Sequence, residues 1–401
     1  MSWIQKWFWK GRPLVQEKAP AVLDDAAGAI SDDEFIETQI QFQLGHFGRR
    51  DFSIPIDELH RTCKFPSAIF GVFDAHTQQV LSPNACDKCV TVAKNGQWQA
   101  DFANKSVNRK GRIAGFLNSI RLYSAKKHYA FDFWDGRTNN LNHWFAGEPF
   151  PIFQYNRLNH DSHAILWPLH HYHTIDNPYF LERHFSDPIR FEDKQPKICW
   201  RGMPTGGGFD LQRNTAVGIE KLVAHFAAGS INAETLREQL LLIKRYKFVA
   251  LFSGHALFDA GFAISNPNQQ FLAQHEGFAG YLKPPLTKWE HCRFKYLVAL
   301  SGWDVATSFY WMLGTNSVVF KESYEHEVFA DCHFKPWVHY VPISPDFDDI
   351  IAKYEWCETN TNACLVMVKN ANAVCQKLLS RDLRRKILGA VINRYENRLH
   401  S

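Results

Sequence analysis

The sequence predicts an α/β protein of two domains, on three observations. The stretch from Phe294 to Ile343 reads as buried strand, tight Ser301-Gly302 turn, helix, buried strand, acidic connection and a further strand. That alternation builds one edge of a nucleotide-binding α/β sheet. At 401 residues the chain exceeds what one hydrophobic core organises, so two domains of roughly 150 to 200 residues each are expected. The polar run RFEDKQPK at 190–197 then gives way abruptly to ICWRG at 198–202, which marks the joint between them.

Taken in chain order, the N-terminus sets Trp3, Ile4, Trp7 and Phe8 at helical spacing among Lys6, Lys10 and Arg12. Residues 3–12 therefore suit either a short helix docked on the protein body or an interfacial anchor making peripheral membrane contact. The segment lacks the apolar core and cleavage site of a signal peptide, and no run approaches the roughly 18 to 20 apolar residues of a membrane span. A cytoplasmic location is expected. Residues 13–33, rich in Ala, Pro, Asp and Glu, read as a linker, so 1–33 stands apart from a first domain at 34–195.

In that domain Lys105 to Tyr123 forms an amphipathic helical pattern through Ile113, Phe116, Leu117, Ile120 and Leu122,. The runs YAFDFWD at 129–135, PFPIFQYN at 149–156 and HAILWPL at 163–169 read as strands and a loop. A second domain spans 196–385, with a helix over Ala233–Lys247, a strand over 247–254 and the Phe294–Ile343 segment. Ser344-Pro345-Asp346 starts another helix, with Asp348 and Asp349 in its first turn where carboxylates favour the dipole. Residues 386–401 close the chain as a separate helix.

Composition narrows the function classes. The net charge of +4 is spread without Lys/Arg clustering, so no nucleic-acid partner is expected. Nine cysteines, an odd number, fit reduced thiols better than a disulfide framework,. Cys86 and Cys89 have the spacing of a turn, or of half a zinc site completed through space by Cys63 or a histidine.

Several residues have types suited to chemistry. Cys199 to Arg213 runs from a strand into Gly206-Gly207-Gly208, where backbone can approach a ligand and Arg201 and Arg213 offer paired donors to phosphate or carboxylate,. An ordinary surface loop with an ion-paired arginine fits the same residues. Gly302 and the start of the following helix could lie under a diphosphate with Lys295 in the preceding strand, or Asp304 could simply cap that helix. Glu322, Glu325 and Glu327 could accept ribose hydroxyls or form an exposed acidic connection. The histidines at 160–173 have metal-ligand character as a cluster,.

The blocks ICWRGMPTGG, KYLVALSGWDVATSFYWMLGTNSVVF and KPWVHYVPI, followed by DFDDI, resemble the signature blocks of family-90 glycosyltransferases. These include eukaryotic protein O-glucosyltransferases, fungal capsule-associated xylosyltransferases and bacterial LpsA-type lipopolysaccharide proteins. The resemblance is dense over 129–360 and strongest to the bacterial branch, through G-x-D-V-x-T and W-M-L-x-x-N-S at Gly302–Ser317.

That resemblance implies a GT-B-like fold, two Rossmann-like domains facing a central cleft, with the sugar nucleotide held mainly by the C-terminal one. It implies inverting, metal-independent transfer from a UDP-sugar, a substrate rather than a cofactor, to a hydroxyl of a lipopolysaccharide core or related surface glycan. The setting would be the inner face of a bacterial membrane. Asp135 falls on the position of the family base, with Asp132 as the alternative. Arg201, Gly202, Thr205 and Gly206 fall on the phosphate loop, followed by Arg213. Lys295, Gly302 and Asp304 lie on the donor side, and Glu325, or Glu327 one register away, on the ribose. The histidine-rich stretch falls on the acceptor-side wall, so no metal is expected. One departure stands out: Ser308 occupies the position of an arginine in eukaryotic members. It leaves open a non-catalytic glycan- or nucleotide-binding relative of the same fold.

Overall fold

The computed structural model describes residues 30–45, 70–81, 90–92, 94, 96–100, 107–123, 126–133, 151–158, 163–169, 186–210, 215–264, 270, 272–273, 275–323 and 326–399. The chain divides into two compact units. The first comprises Gly28–Phe185, Glu325–Phe334 and Val374–Ser401; the second contains Ser186–Tyr324 and Lys335–Ala373.

The first unit opens with helix α1, Asp32–Leu44. The Ser31 side chain accepts from the Glu34 N–H, and Asp32, Asp33 and Glu34 place negative charge at the positive end of the dipole,. Gly45, at φ 58, ends the helix. Its sheet contains β1 (Phe70–Asp74), β2 (Gln79–Leu81), β5 (His128–Asp132), β6 (Ile152–Gln154) and β8 (Ala164–Leu166), in the order β2-β1-β5-β6-β8. A separate hairpin joins β3 (Val90–Val92) to β4 (Trp98–Ala100). The main sheet is mixed: β1 is antiparallel to β2 and β5, while β5, β6 and β8 run parallel. Helix α2, Val107–Arg121, covers this sheet as its periodicity predicts. Ile113, Phe116, Leu117 and Ile120 are buried, and Phe116 lies 5.2 to 5.6 Å from the rings of Phe131, Phe133, Phe153 and Trp167. Leu122 falls past the helix end and is exposed.

Two later segments return to this unit. Strand β15, His326–Val328, pairs antiparallel with β7, Asn156–Leu158. Helix α11, Arg381–Glu396, buries Ile387, Leu388, Val391, Ile392 and Tyr395 and packs along α1. The Tyr395 ring meets Phe153 at 4.9 Å, and Tyr129 Oη donates to Glu396 at 2.5 Å. The terminal segment expected to stand apart from 386 is therefore core to the first unit. The contact is between residues over 250 positions apart, so no local pattern announces it.

The second unit begins ten residues before the expected joint. Phe191 is buried, and Lys194 pairs with Asp187 at 2.6 Å with both side chains almost wholly enclosed. Asn316 ties down the same turn through its backbone N–H to Asp187 and its amide to the Asp187 and Ile189 carbonyls. The polar run belongs to the second unit because Phe191 and the paired Lys194 are buried in it and residues 195–197 already form the start of β9. The sheet is parallel throughout, in the order β12-β9-β13-β14-β16. Its strands are β9 (Gln195–Gly202), β12 (Phe258–Phe262), β13 (Phe294–Ala299), β14 (Val318–Glu322) and β16 (Val341–Ile343). A small hairpin, β10 (Gly207–Asp210) with β11 (Thr215–Gly218), follows β9.

Helices α3 (Ile219–Ala227), α4 (Ala233–Leu241) and α5 (Lys244–Phe252) precede β12. Residues 247–254, expected as a strand, lie mainly in α5. Tyr246 and all five residues from Phe248 to Phe252 are buried. A helix buried on every side reads as a continuous apolar run, which local sequence cannot tell from an interior strand. The one helix expected over 233–247 is two, broken at Leu242 and Ile243. Short helices α6 (Glu276–Ala279) and α7 (Lys288–His291) lead into β13. Helix α8, Ser308–Leu313, links β13 to β14, and α9 (Ile350–Thr359) and α10 (Thr361–Leu379) follow β16. Asp348 and Asp349, expected in the first turn of a helix begun at Ser344-Pro345-Asp346, precede α9 instead, because those three residues form a turn ahead of it. Among the described residues no helix is long and apolar enough to cross a membrane.

Candidate functional site

Numbered by their order along the chain, the strands of the second unit lie 2-1-3-4-5. The direction of winding therefore reverses between β9 and β13. In open parallel sheets the crevice at the carboxyl ends of the two strands flanking such a reversal is where ligands bind. Both ends carry residues that the sequence singles out.

Strand β9 ends at Arg201-Gly202 and runs into the loop 203–206; β13 ends at Ala299 and turns through Leu300, Ser301 and Gly302. The two loops touch. Gly206 has φ +125, a conformation that side chains rarely adopt, and a Cβ there would lie 3.1 Å from the Gly302 carbonyl oxygen,. A Cβ on Gly302 would lie 3.1 Å from Thr205 Oγ1. The structure thus brings Gly202, Thr205, Gly206 and Gly302 to one place.

Charge surrounds this contact. Arg245, second residue of α5, donates from Nε to the Ser301 carbonyl at 3.1 Å and from Nη2 to that of Leu300 at 3.1 Å. Its Nη1 donates to the Met203 carbonyl at 3.3 Å and to Thr205 Oγ1. Burial pulls this guanidinium down to about 10, against the raising influence of Asp304 and Glu322. Beneath the turn the fully buried Glu322 carboxylate accepts from the Ser301 N–H at 3.2 Å and hydroxyl at 3.1 Å, and pairs with Lys244. Burial pushes the Glu322 carboxyl up, although Lys244 and Ser301 oppose it. Sequence alone considered Glu322 as a ribose contact or as part of an exposed acidic connection, not as a buried support, and Arg245 not at all. The signal for Arg245 was the cluster Lys244, Arg245 and Lys247 ahead of an apolar run, hidden by reading that run as a strand.

The remaining expected residues are placed differently. Arg201 Nη2 bonds Asp259 at 2.8 Å on the neighbouring strand, and Lys283 reaches the same oxygen at 2.6 Å. Burial pushes Asp259 up, but these two cations outweigh it and hold the carboxyl below its usual range. Arg201 is thus the ion-paired arginine that its loop also allowed, within a cluster of two cations and one carboxylate. Lys295 lies at the other end of β13 from the turn, with its ammonium 3.5 Å from Glu358. The structure does not bring it to the crevice, because the strand separates it from Gly302. Asp304 is buried and accepts from the Val305 N–H at 2.6 Å, but it does not cap α8. That helix starts only at Ser308, is six residues long, and follows Thr307 with no side-chain cap. No helix N-terminus therefore stands directly after Gly302. Trp303, 41 % exposed, leans on the end of the hairpin, where a Cβ on Gly218 would lie 3.0 Å from its ring.

Glu327 pairs with Arg157 at 3.0 Å within the first unit, so the acidic connection does not stay in the second unit. Asp132, at the end of β5, is buried. Asp135, Arg213 and Glu325 lie outside the described residues, as do Cys63, Cys86, Cys89, residues 3–12 and the histidines at 160 and 170–173.

Comparison with known proteins bears on the same region. The model of glycosyl transferase family 90 matches residues 263–401. The chain is 22% identical over 233 residues to O-glucosyltransferase LpsA of Dichelobacter nodosus, covering 51% of this chain and 73% of that protein. It is 34% identical over 90 residues to protein O-glucosyltransferase 3 of Mus musculus, 22% of this chain and 17% of that one. It is 26% identical over 191 residues to the uncharacterized protein 035R of Invertebrate iridescent virus 3, 45% of this chain and 15% of the viral protein. The chain thus spans only a small part of that viral relative's length. On the family match and these similarities, residues 263–401 belong to glycosyl transferase family 90.

Proposed function

We propose that the protein is an inverting, metal-independent glycosyltransferase that moves a sugar from a UDP-sugar to a glycan hydroxyl. The observation that carries this reading is the meeting of loop 203–206 with turn 300–302 at the reversal point of a parallel sheet, inside a chain with a family-90 region. Glycine at 206 and 302 leaves backbone accessible to a diphosphate, and Arg201, Lys283 and Lys244 supply positive charge for the leaving group,. Asp135 would take the proton of the acceptor hydroxyl as that oxygen attacks the anomeric carbon, and UDP departs from the opposite face. Inversion gives a β-linked product from an α-linked donor.

A GT-B-like arrangement, with the donor on the second unit and the acceptor on the first, belongs to this proposal; its support is that each unit has its own sheet. A lipopolysaccharide core as acceptor, at the inner face of a bacterial membrane, is the finer part, supported by the similarity to LpsA. Arg213 and Glu325 keep their proposed diphosphate and ribose roles. A non-catalytic nucleotide-binding relative is the second reading, favoured by Ser308, which opens α8 without a positive charge. Thermal unfolding with a panel of UDP-sugars, followed by assay of UDP release with and without lipopolysaccharide core, tests both. A donor that raises the unfolding temperature and acceptor-dependent UDP release are expected. Binding without release selects the second reading, and no stabilisation by any nucleotide sugar sinks both.

A further inference from the structure

We propose that Arg245 is a positioning residue that fixes the spacing of the two crevice loops; as a statement about donor binding, this rests on the reading of that crevice as the UDP-sugar site. Its guanidinium bonds three backbone carbonyls and one hydroxyl drawn from both loops, Met203 and Thr205 on one side, Leu300 and Ser301 on the other. These bonds engage all three side-chain nitrogens, so the group is occupied as a brace rather than presented as a ligand. Its planar fork suits this task, since a lysine offers one compact ammonium in its place.

The brace acts where tolerance is smallest. A Cβ on Gly302 would lie 3.3 Å from the guanidinium carbon, and one on Gly206 3.1 Å from the Gly302 carbonyl oxygen. Loop 203–206 follows β9 and turn 300–302 follows β13, neighbouring strands whose ladder ends short of both loops: its last pair is Leu297 with Cys199. Beyond that pair the two strands no longer hold each other, and Arg245 bridges the gap. Glu322 supports the same turn from below, holding the Ser301 N–H and hydroxyl. The two supports differ in reach: Glu322 holds one loop, whereas Arg245 joins two.

The test uses the full chain with UDP as probe, and compares wild type, Arg245→Lys and Thr205→Val. Calorimetric titration reads UDP affinity, and amide hydrogen exchange without ligand reads loop order. Arg245→Lys is expected to weaken UDP binding about 10- to 100-fold, the scale of losing one hydrogen bond to a charged group that holds the loops in place. Exchange should quicken in 203–206 and 300–304 and stay unchanged in the β9 and β13 ladder, a pattern that general destabilisation does not produce. Wild-type UDP affinity in Arg245→Lys, or exchange accelerated evenly across the unit, overturns the proposal. Should Arg245→Lys not fold, Thr205→Val decides, since it removes one bond of the brace. Faster exchange in loop 203–206 upholds the proposal, and wild-type exchange overturns it. If the wild type itself does not bind UDP, the donor reading fails, and the exchange pattern alone judges the brace.

Discussion

The two units solve the same packing problem with different sheets. In the second, five parallel strands place all their carboxyl ends on one edge, and the winding reverses between β9 and β13. That geometry gathers loops into a crevice. In the first, β1 runs antiparallel to β2 on one side and to the parallel group β5-β6-β8 on the other, and the sheet leans on a helix from the far end of the chain. The difference teaches where function can be read from topology alone. The parallel unit points to its own site, whereas the topology of the mixed unit points to none, and the proposed base Asp135 lies outside the described residues.

Removing residues 381–401 should break the comparison most severely. It takes away six buried apolar side chains of α11, Leu383, Ile387, Leu388, Val391, Ile392 and Tyr395. At about 1.5 to 3 kcal/mol each, this is on the order of 10 kcal/mol, as large as the whole stability of a domain. The first unit should unfold, and proteolysis should spare 186–324 preferentially. Equal digestion of both units would show that they do not fold separately.

Next in size is Asp135→Asn, which should lower transfer by roughly 10²- to 10⁴-fold, the usual contribution of a positioned base. UDP affinity should not change if base and donor site sit on different units. Normal turnover would remove Asp135 from its role, and lost UDP binding would collapse the division of labour.

Acid should separate the units more gently. His339 accepts the Lys335 N–H at its Nδ1, 2.9 Å away, and burial lowers its pKa to about 4. Unfolded, the ring titrates near 6.5, so its neutral form contributes stability in full above that pH. The contribution is lost as pH falls from 6.5 through about 4, up to about 3 kcal/mol. His339→Asn, which keeps an acceptor that does not titrate, should flatten this part of the pH profile of urea unfolding. In the first unit the Arg394 bonds hold Glu37 down to about 2, so its contribution persists to lower pH. That pair is half-exposed, and Arg394→Ala should cost less than about 1 kcal/mol, the smallest effect of the series. A loss of several kcal/mol would mean that the α1–α11 contact depends on charge rather than on apolar packing.

Much of the second unit was legible in the sequence because its strands are short apolar runs bounded by glycine or polar turns, as at Phe294–Ala299 and Val318–Glu322. Gly302 and Gly206 could be picked out because their backbones come close. What local pattern could not supply were the identities of groups that act through space. Arg245 needed its partners in the two crevice loops, 40 to 56 residues away. Arg201 needed Asp259, 58 residues away. The assignment of α11 to the first unit needed its contact with α1, at the other end of the chain.

The order of segments also limits what any shorter piece of this chain can be. The region that matches the family starts at residue 263, immediately after β12 ends at Phe262. It takes β13, β14 and β16 but leaves out β9 and β12, and it carries β15 and α11 away from their first-unit partners. Cut out alone, it would expose the β13 backbone that β9 normally covers, an open sheet edge able to recruit other chains. The stretch most recognisable by descent is thus not a foldable module, and a fragment cut at its borders should aggregate.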